Sequence, residues 1–250
     1  MTYETIALET RGHIAEVRLN RPAAGNPIDA RFLDELDAVS AALHDDHGVH
    51  VVLLTAAGDV FSSGRLAASA IVADPARLPF RCLELMGQPV IAVIEGDAIG
   101  AGFELALACD VRIASEDAMF AVPDVAMGSV PFGGATVRLP RLAGRGLAAE
   151  LVLLGGRIDG RRAAATGVVN EALPRPGVRD RAERLAEAIA AQGPIAVRYA
   201  KEAMLRGLDL PLAEALRLET DLTIILQTTA DRAEGVDAFL QKRPPRFENS

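Results

Sequence analysis

The run AIGAGFELALACD at residues 98–110 sets small residues and one carboxylate in an otherwise apolar stretch. Small residues giving way to a helix leave its first N–H groups without intrahelical partners, and the helix dipole behind them favours negative charge nearby. The chemistry this suits is an oxyanion hole around the Ala101 N–H, with the Glu104 carboxylate beside it. Gly100 and Gly102 would let a ligand approach the backbone closely. Glu104 falls in the first turn among Phe103, Leu105, Leu107 and Ala108. An ionised carboxylate there costs roughly several kcal/mol unless a site pairs or solvates it. The plainer alternative is that Glu104 only complements the helix dipole at a protein edge.

Two further segments could join this one. In DVFSSGRLAAS at 59–69 a strand ends in small residues and Gly64, a layout able to present the Arg65 N–H to a ligand, although any strand-to-helix turn reads the same way. The Pro and Gly content of MFAVPDVAMGSVPFGGATVRLPRLAG at 119–144 predicts a long irregular loop holding Asp124 behind Pro123. For Asp124 alone, an exposed turn carboxylate or an N-cap is the ordinary role.

The elements that must position these residues are legible from periodicity. HIAEVRLN at 13–20 alternates Ala15, Val17 and Leu19 against Glu16 and Arg18, the period of a half-exposed strand. Phe32, Leu36, Val39 and Leu43 place an apolar stripe on a helix that opens near Asp29 as N-cap. HVVLLTA at 50–56 and PVIAVIEG at 89–96 are continuous apolar runs, expected of strands buried on both faces, with RLPFRCLELMG between them reading as a helix. Strands alternating with helices make the architecture α/β up to about residue 130. From RGLAAELVLLGG at 145 onward the pattern reads as almost wholly helical, with Asp159 and Gly167 bracketing a short helix and further helices at roughly 178–191, 194–206, 211–227 and 231–241.

Composition narrows the function classes. The chain has 250 residues and a formal net charge of -8, which argues against nucleic acid as a partner, since such affinity rests on clustered Lys and Arg. All four histidines, His13, His44, His47 and His50, lie in the first fifth of the chain, away from the segments above. A Ser-His-Asp hydrolase and a His-ligated metal site are therefore disfavoured, and no metal is expected. Cys82 and Cys109 form neither a disulfide framework nor a thiolate zinc site, a usage that fits a reducing cytoplasm. The most apolar segment is interrupted by Glu95, Asp97 and Glu104, which argues against a membrane span, and MTYETIALET does not read as a signal peptide.

Taken together and in order, the motifs resemble the enoyl-CoA hydratase/isomerase, or crotonase, family over essentially the whole chain. LNRPAAGNPI, FSSGR, IGAGFELALACD, VPDVAMGSVPFGGATVRLPRLAG, LLGGRIDGRRAAATGVVNEAL and EGVDAFLQKRPPRF carry the likeness. The resemblance implies a crotonase-like spiral of ββα units over residues 1–193 holding an acyl-CoA site, and a helical C-terminal oligomerisation region over 194–250. It also implies a homotrimer or a dimer of trimers, and no cofactor beyond the coenzyme A carried by the substrate. By position, the backbone N–H groups of Arg65 and Ala101 would hold the thioester oxygen, and Glu104 and Asp124 would be the two catalytic carboxylates. Ala24, Asn26, Ser63, Phe239 and Lys242 would meet coenzyme A; for Lys242 and Arg243 a solvated basic helix end is an equal alternative.

The implied reaction is hydration of a 2-enoyl-CoA, with double-bond isomerisation or non-catalytic acyl-CoA binding as the competing readings. Three positions depart from the hydratase pattern. Asp124 stands where Glu is usual, which shortens the reach by roughly 1.5 Å. Phe132 stands where Gly is usual beside the water site. Leu66 follows Arg65 where Asp is frequent, and the stretch from Gly64 to Pro89 is shorter than in most hydratases.

Overall fold

The computed structural model describes residues 3–64 and 78–250. A six-stranded sheet forms its centre, in the order β1 (Ile6–Arg11), β2 (Ile14–Leu19), β3 (Val51–Ala56), β4 (Val90–Ile94), β6 (Val111–Ser115) and β9 (Glu171–Leu173). β1 and β2 form an antiparallel pair, and every later pairing is parallel. A second sheet runs β5 (Ala98–Ile99), β7 (Met119–Ala121), β8 (Arg157–Asp159). A single parallel bridge from Ser62 to Ala98 joins the FSS segment to its edge.

This is a spiral of ββα units. Successive turns lay a strand in the large sheet and then a helix, and the turns that begin at β4 and β6 add a shorter strand in the small sheet between the two. β4 and β5 lead into α3 (Ala101–Leu107), which follows α1 (Ala30–Asp45) and α2 (Arg81–Leu85). β6 and β7 lead through a 3-10 turn (Asp124–Met127) into α4 (Ala135–Leu153). The continuous apolar runs are explained by coverage on both faces. Val52, Leu54, Val90, Ala92 and Ile94 face the main core. Val51, Leu53, Ile91 and Val93 face Val178, Ala182 and Ala186 of α6 (Arg175–Ala190).

Local signals held where they were strongest. Asp29 caps α1 by accepting from the Phe32 N–H at 3.0 Å, and Asp159 caps α5 (Gly160–Ala165) by accepting from Arg162 at 2.8 Å. Three expectations need correction. Residues 119–144 are not one irregular loop, because β7, the 3-10 turn and the first half of α4 lie within them. The chain beyond 145, read as almost wholly helical, also carries two three-residue strands, β8 pairing with β7 and β9 with β6. Gly102 does not open the backbone to a ligand either: a Cβ there would stand 2.3 Å from Ser62 Cβ, so its missing side chain is what lets α3 pack on the FSS segment.

The C-terminal helices are α7 (Pro194–Gly207), α8 (Leu212–Leu226) and α9 (Ala230–Gln241). α7 is tied to the body by Lys201, 4% exposed, whose ammonium meets Asp110 at 2.7 Å and the carbonyls of Leu83 and Gln88 at 3.0 and 2.9 Å. Among the described residues no helix is long and apolar enough to cross a membrane.

Candidate active site

The FSS segment and the start of α3 meet in space. Ser62 N–H donates to Asp97 O and Ile99 N–H to Ser62 O, at 3.1 and 3.0 Å, which fastens the end of one loop to the strand preceding the helix. Ser62 is fully buried; its hydroxyl donates to Asn26 O at 2.7 Å and accepts from the Gly64 N–H at 3.1 Å. Gly64 lies at φ +89, and a Cβ on it would stand 2.7 Å from Ile99 O and 3.6 Å from Ala101 N. The residue preceding Arg65 therefore lies within a methyl group's reach of the first residue of α3. Arg65 and Leu66 lie outside the described residues, as does the first half of the stretch from Gly64 to Pro89.

At the mouth of α3, Gly100 takes φ 49 and ψ -122, and its N–H donates to Ala121 O at 2.8 Å. Ala101, as first helical residue, has an N–H with no intrahelical acceptor. Three positions on, Glu104 is 1% exposed and wholly surrounded by core. It is not a surface residue soothing a dipole. Its Oε1 accepts from the Ala135 N–H at 2.9 Å, and the Gly133 N–H also bonds the carboxylate. Burial pushes the Glu104 carboxyl above the ordinary range; the two N–H groups draw it back, the Asp124 charge adds to the rise, and Arg138 opposes it.

Asp124 arrives from the 3-10 turn after β7. Its Oδ2 is buried, has no hydrogen-bond partner among the described residues, and lies 3.9 Å from where a Cβ on Gly100 would stand. Two carboxylates thus converge at the N-terminal end of α3. One is held by backbone N–H groups and the other has an oxygen free. The pair sets two groups able to give or take a proton at one end of the helix.

Phe80, Gly133, Ala135 and Arg138 carry no chemical signature in the sequence, yet they form the socket of Glu104. Gly133 is pressed between the Phe80 ring and the carboxylate: a Cβ on it would lie 2.6 Å from Phe80 Cε2 and 2.7 Å from Glu104 Oε2. Phe80, 1% exposed, holds φ 67, a left-handed conformation uncommon for a bulky residue. Phe132 is half-buried on the same turn. Neither cysteine competes for a catalytic role, since burial pushes both thiols up to about 12.

The positions matched to coenzyme A fall into two groups. Ala24 and Ser63 are exposed and adjacent, joined through the Ser63 N–H to Gly25 O bond of 2.8 Å. Asn26, 2% exposed, spends its side chain internally: its amide donates to Ala57 O and Val60 O, and its oxygen accepts from the Arg21 N–H. What Asn26 offers is the shape of the loop beside Ser63. Phe239, 82% exposed, and Lys242 lie at the end of α9, and among the described residues no hydrogen bond or ion pair joins them to the first group.

Comparison with known proteins agrees with this geometry. The Enoyl-CoA hydratase/isomerase family model matches residues 9–250. A crotonyl-CoA hydratase from Syntrophomonas wolfei is 35% identical over 257 residues, covering 99% of each chain, and a short-chain-enoyl-CoA hydratase from Clostridium acetobutylicum is 33% identical, covering 97% of each. The crystal structure of an enoyl-CoA hydratase from Bacillus anthracis superposes with a TM-score of 0.93 at 34% identity, over 99% of this chain and all of the other. With a spiral of ββα units, a buried Glu at the head of α3 and a family match along nearly its full length, the chain belongs to the enoyl-CoA hydratase/isomerase family.

Proposed function

We propose that this protein is an enoyl-CoA hydratase, a hydro-lyase that reversibly adds water to a 2-enoyl-CoA thioester to give the 3-hydroxyacyl-CoA. The observation that carries this reading is the convergence of Glu104 and Asp124 beside the Ala101 N–H. Water addition to the conjugated thioester puts negative charge on the carbonyl oxygen. The N–H groups of Ala101 and Arg65 hold that oxygen, and a preorganised donor of this kind contributes roughly 3 kcal/mol. Glu104 takes a proton from the water that attacks the β-carbon, and Asp124 delivers a proton to the α-carbon. No cofactor takes part beyond the coenzyme A of the substrate, which Ala24, Ser63, Phe239 and Lys242 receive, with Asn26 shaping the loop beside Ser63.

The chain acts in the cytoplasm as a homotrimer or a dimer of trimers, with 194–250 as the assembling region. Support comes from the apolar side chains left exposed on α7–α9, among them Met204, Leu208, Leu212, Ile224 and Leu240. Light scattering on the purified protein measures the assembly.

The deciding assay follows the conjugated-thioester absorbance of crotonyl-CoA. Its loss on adding enzyme, abolished in Glu104→Gln, supports hydration. An absorbance unchanged at high enzyme concentration, together with a gain when a 3-enoyl-CoA is supplied, would replace hydration by double-bond isomerisation.

A further inference from the structure

We infer that Arg138 is a positioning residue for Glu104, holding from behind the turn that grips the carboxylate, with Glu84 as its counter-charge. The inference rests on the assignment of Glu104 as the water-activating base. Arg138 lies one turn into α4, and its side chain is 16% exposed. Its Nη1 donates to Gly133 O at 2.6 Å and its Nε donates to Glu84 Oε1 at 2.8 Å. The turn from Gly133 to Ala135 is thereby held on two sides. Its N–H groups at 133 and 135 point inward to Glu104, and its carbonyl at 133 points outward to the guanidinium.

The fit leaves little slack. Gly134 takes φ +108, and a Cβ on it would stand 2.0 Å from Arg138 Nη1. The guanidinium thus occupies the space a side chain would need. Arg138 Nε and Nη1 are both committed, so rotation of the side chain breaks two charge-assisted bonds together. Glu84 belongs to α2, at the border of the residues that also supply Phe80, so the pair ties the two walls of the Glu104 socket to each other.

The arrangement is electrostatic as well as mechanical. Foremost among the charged groups acting on Glu104 are Asp124 from the 3-10 turn, which makes its ionisation harder, and Arg138 from α4, which makes it easier. Glu84 from α2 offsets part of the Arg138 charge. Substitutions at 138 and at 84 therefore act on the Glu104 titration in opposite senses, which simple loosening of the turn would not produce.

The test compares wild type, Arg138→Met, Arg138→Lys, Glu84→Gln and Glu104→Gln, measuring kcat and KM for crotonyl-CoA across pH together with the melting temperature. Arg138→Met is expected to lose roughly 10- to 100-fold in kcat, with KM little changed and the acid limb of the rate profile moved to higher pH. Arg138→Lys restores the position of the limb more fully than it restores kcat, because the charge remains and the fork is lost. Glu84→Gln moves the limb to lower pH. A folded Arg138→Met with wild-type kcat and an unmoved limb overturns the inference, as do limbs moving the same way in Arg138→Met and Glu84→Gln. If Arg138→Met does not fold, the Glu84→Gln limb decides, downward in support and unmoved against. Full turnover in Glu104→Gln would overturn the assignment of the base itself, and this inference with it.

Discussion

Replacing Gly133 by Ala adds one methyl group at the tightest point of the Glu104 socket. The added Cβ would meet Phe80 Cε2 at 2.6 Å, Glu104 Oε2 at 2.7 Å and Glu104 Cβ at 2.9 Å. Carbon atoms in contact sit about 3.5–4.0 Å apart, so the overlap with the ring is about 1 Å. Neither neighbour can move into solvent, because Phe80 and Glu104 are each 1% exposed. Gly133 is not at positive φ, so Ala fits its backbone and the effect isolates the close approach. Overpacking of this kind costs about 1–3 kcal/mol, offset by about 0.4–1 kcal/mol from the stiffer unfolded chain. For a chain of this size each kcal/mol lowers the melting temperature by roughly 2–4 °C.

The consequence for turnover is larger than for stability. A carboxylate displaced by roughly 1 Å forfeits about 100-fold in rate, because proton transfer depends steeply on alignment. Gly146→Ala serves as the control: it lies in the first turn of α4 beyond the break at Gly144, has nothing within 4 Å of its added Cβ, and should leave stability unchanged or raise it by up to about 1 kcal/mol. Crotonyl-CoA hydration and thermal melts on both variants provide the measurement. Wild-type kcat/KM in Gly133→Ala, with a melting temperature matching that of Gly146→Ala, would refute the socket.

Three further outcomes follow from the same contacts. Because burial raises the Glu104 carboxyl and its ionised form is the base, kcat/KM should fall on the acid side at a pH above the ordinary Glu range. The same raised value makes the folded state bind the extra proton, so stability from this group is full below the unfolded pKa and lost as pH rises through the folded one. Melts of Glu104→Gln should therefore gain on wild type between pH 4 and pH 8. Glu35 behaves oppositely: burial pushes it up, but N–H donors of Glu4 and Thr5, the Thr5 hydroxyl and Arg31 outweigh that and hold it at about 2. Glu35→Gln should cost about 1–3 kcal/mol at neutral pH, and urea titrations should show the deficit closing as pH falls from about 4.5 toward 2. Lys201→Met removes the cation from Asp110, which keeps the Val90 N–H, and takes the donor from the Leu83 and Gln88 carbonyls; it should cost about 1–3 kcal/mol in denaturant unfolding.

The elements that were legible beforehand are those whose signal is local. The Asp29 cap with the stripe of Phe32, Leu36, Val39 and Leu43 marks α1 because a helix closes its own hydrogen bonds, and the Asp159 cap marks α5 for the same reason. β3 and β4 show as unbroken apolar runs because both of their faces are covered. β8 and β9 do not show. Each has three residues, too few for a period, and each exists only through a partner strand distant in the chain. The role of Gly102 does not show in the sequence either, because a small residue beside a ligand and one beside a packed loop have the same letter.

The site divides along the same line. Spacing singles out Ala101 and Glu104, because a helix N-terminus and a carboxylate one turn into it are properties of neighbouring residues, whereas Asp124 stands out only through the resemblance of the ordered motifs to the family. The family also shows in the ordered motifs along the chain. That Glu104 is buried rather than at an edge, that Asp124 reaches it, and that Gly133, Ala135, Arg138 and Phe80 build its socket were decided only by tertiary structure. Residues from α2, α3, α4 and the 3-10 turn after β7 meet there. The physical reason is that a carboxylate's proton affinity is set by everything within a few ångströms of it, and those neighbours come from segments brought together by the winding of the spiral.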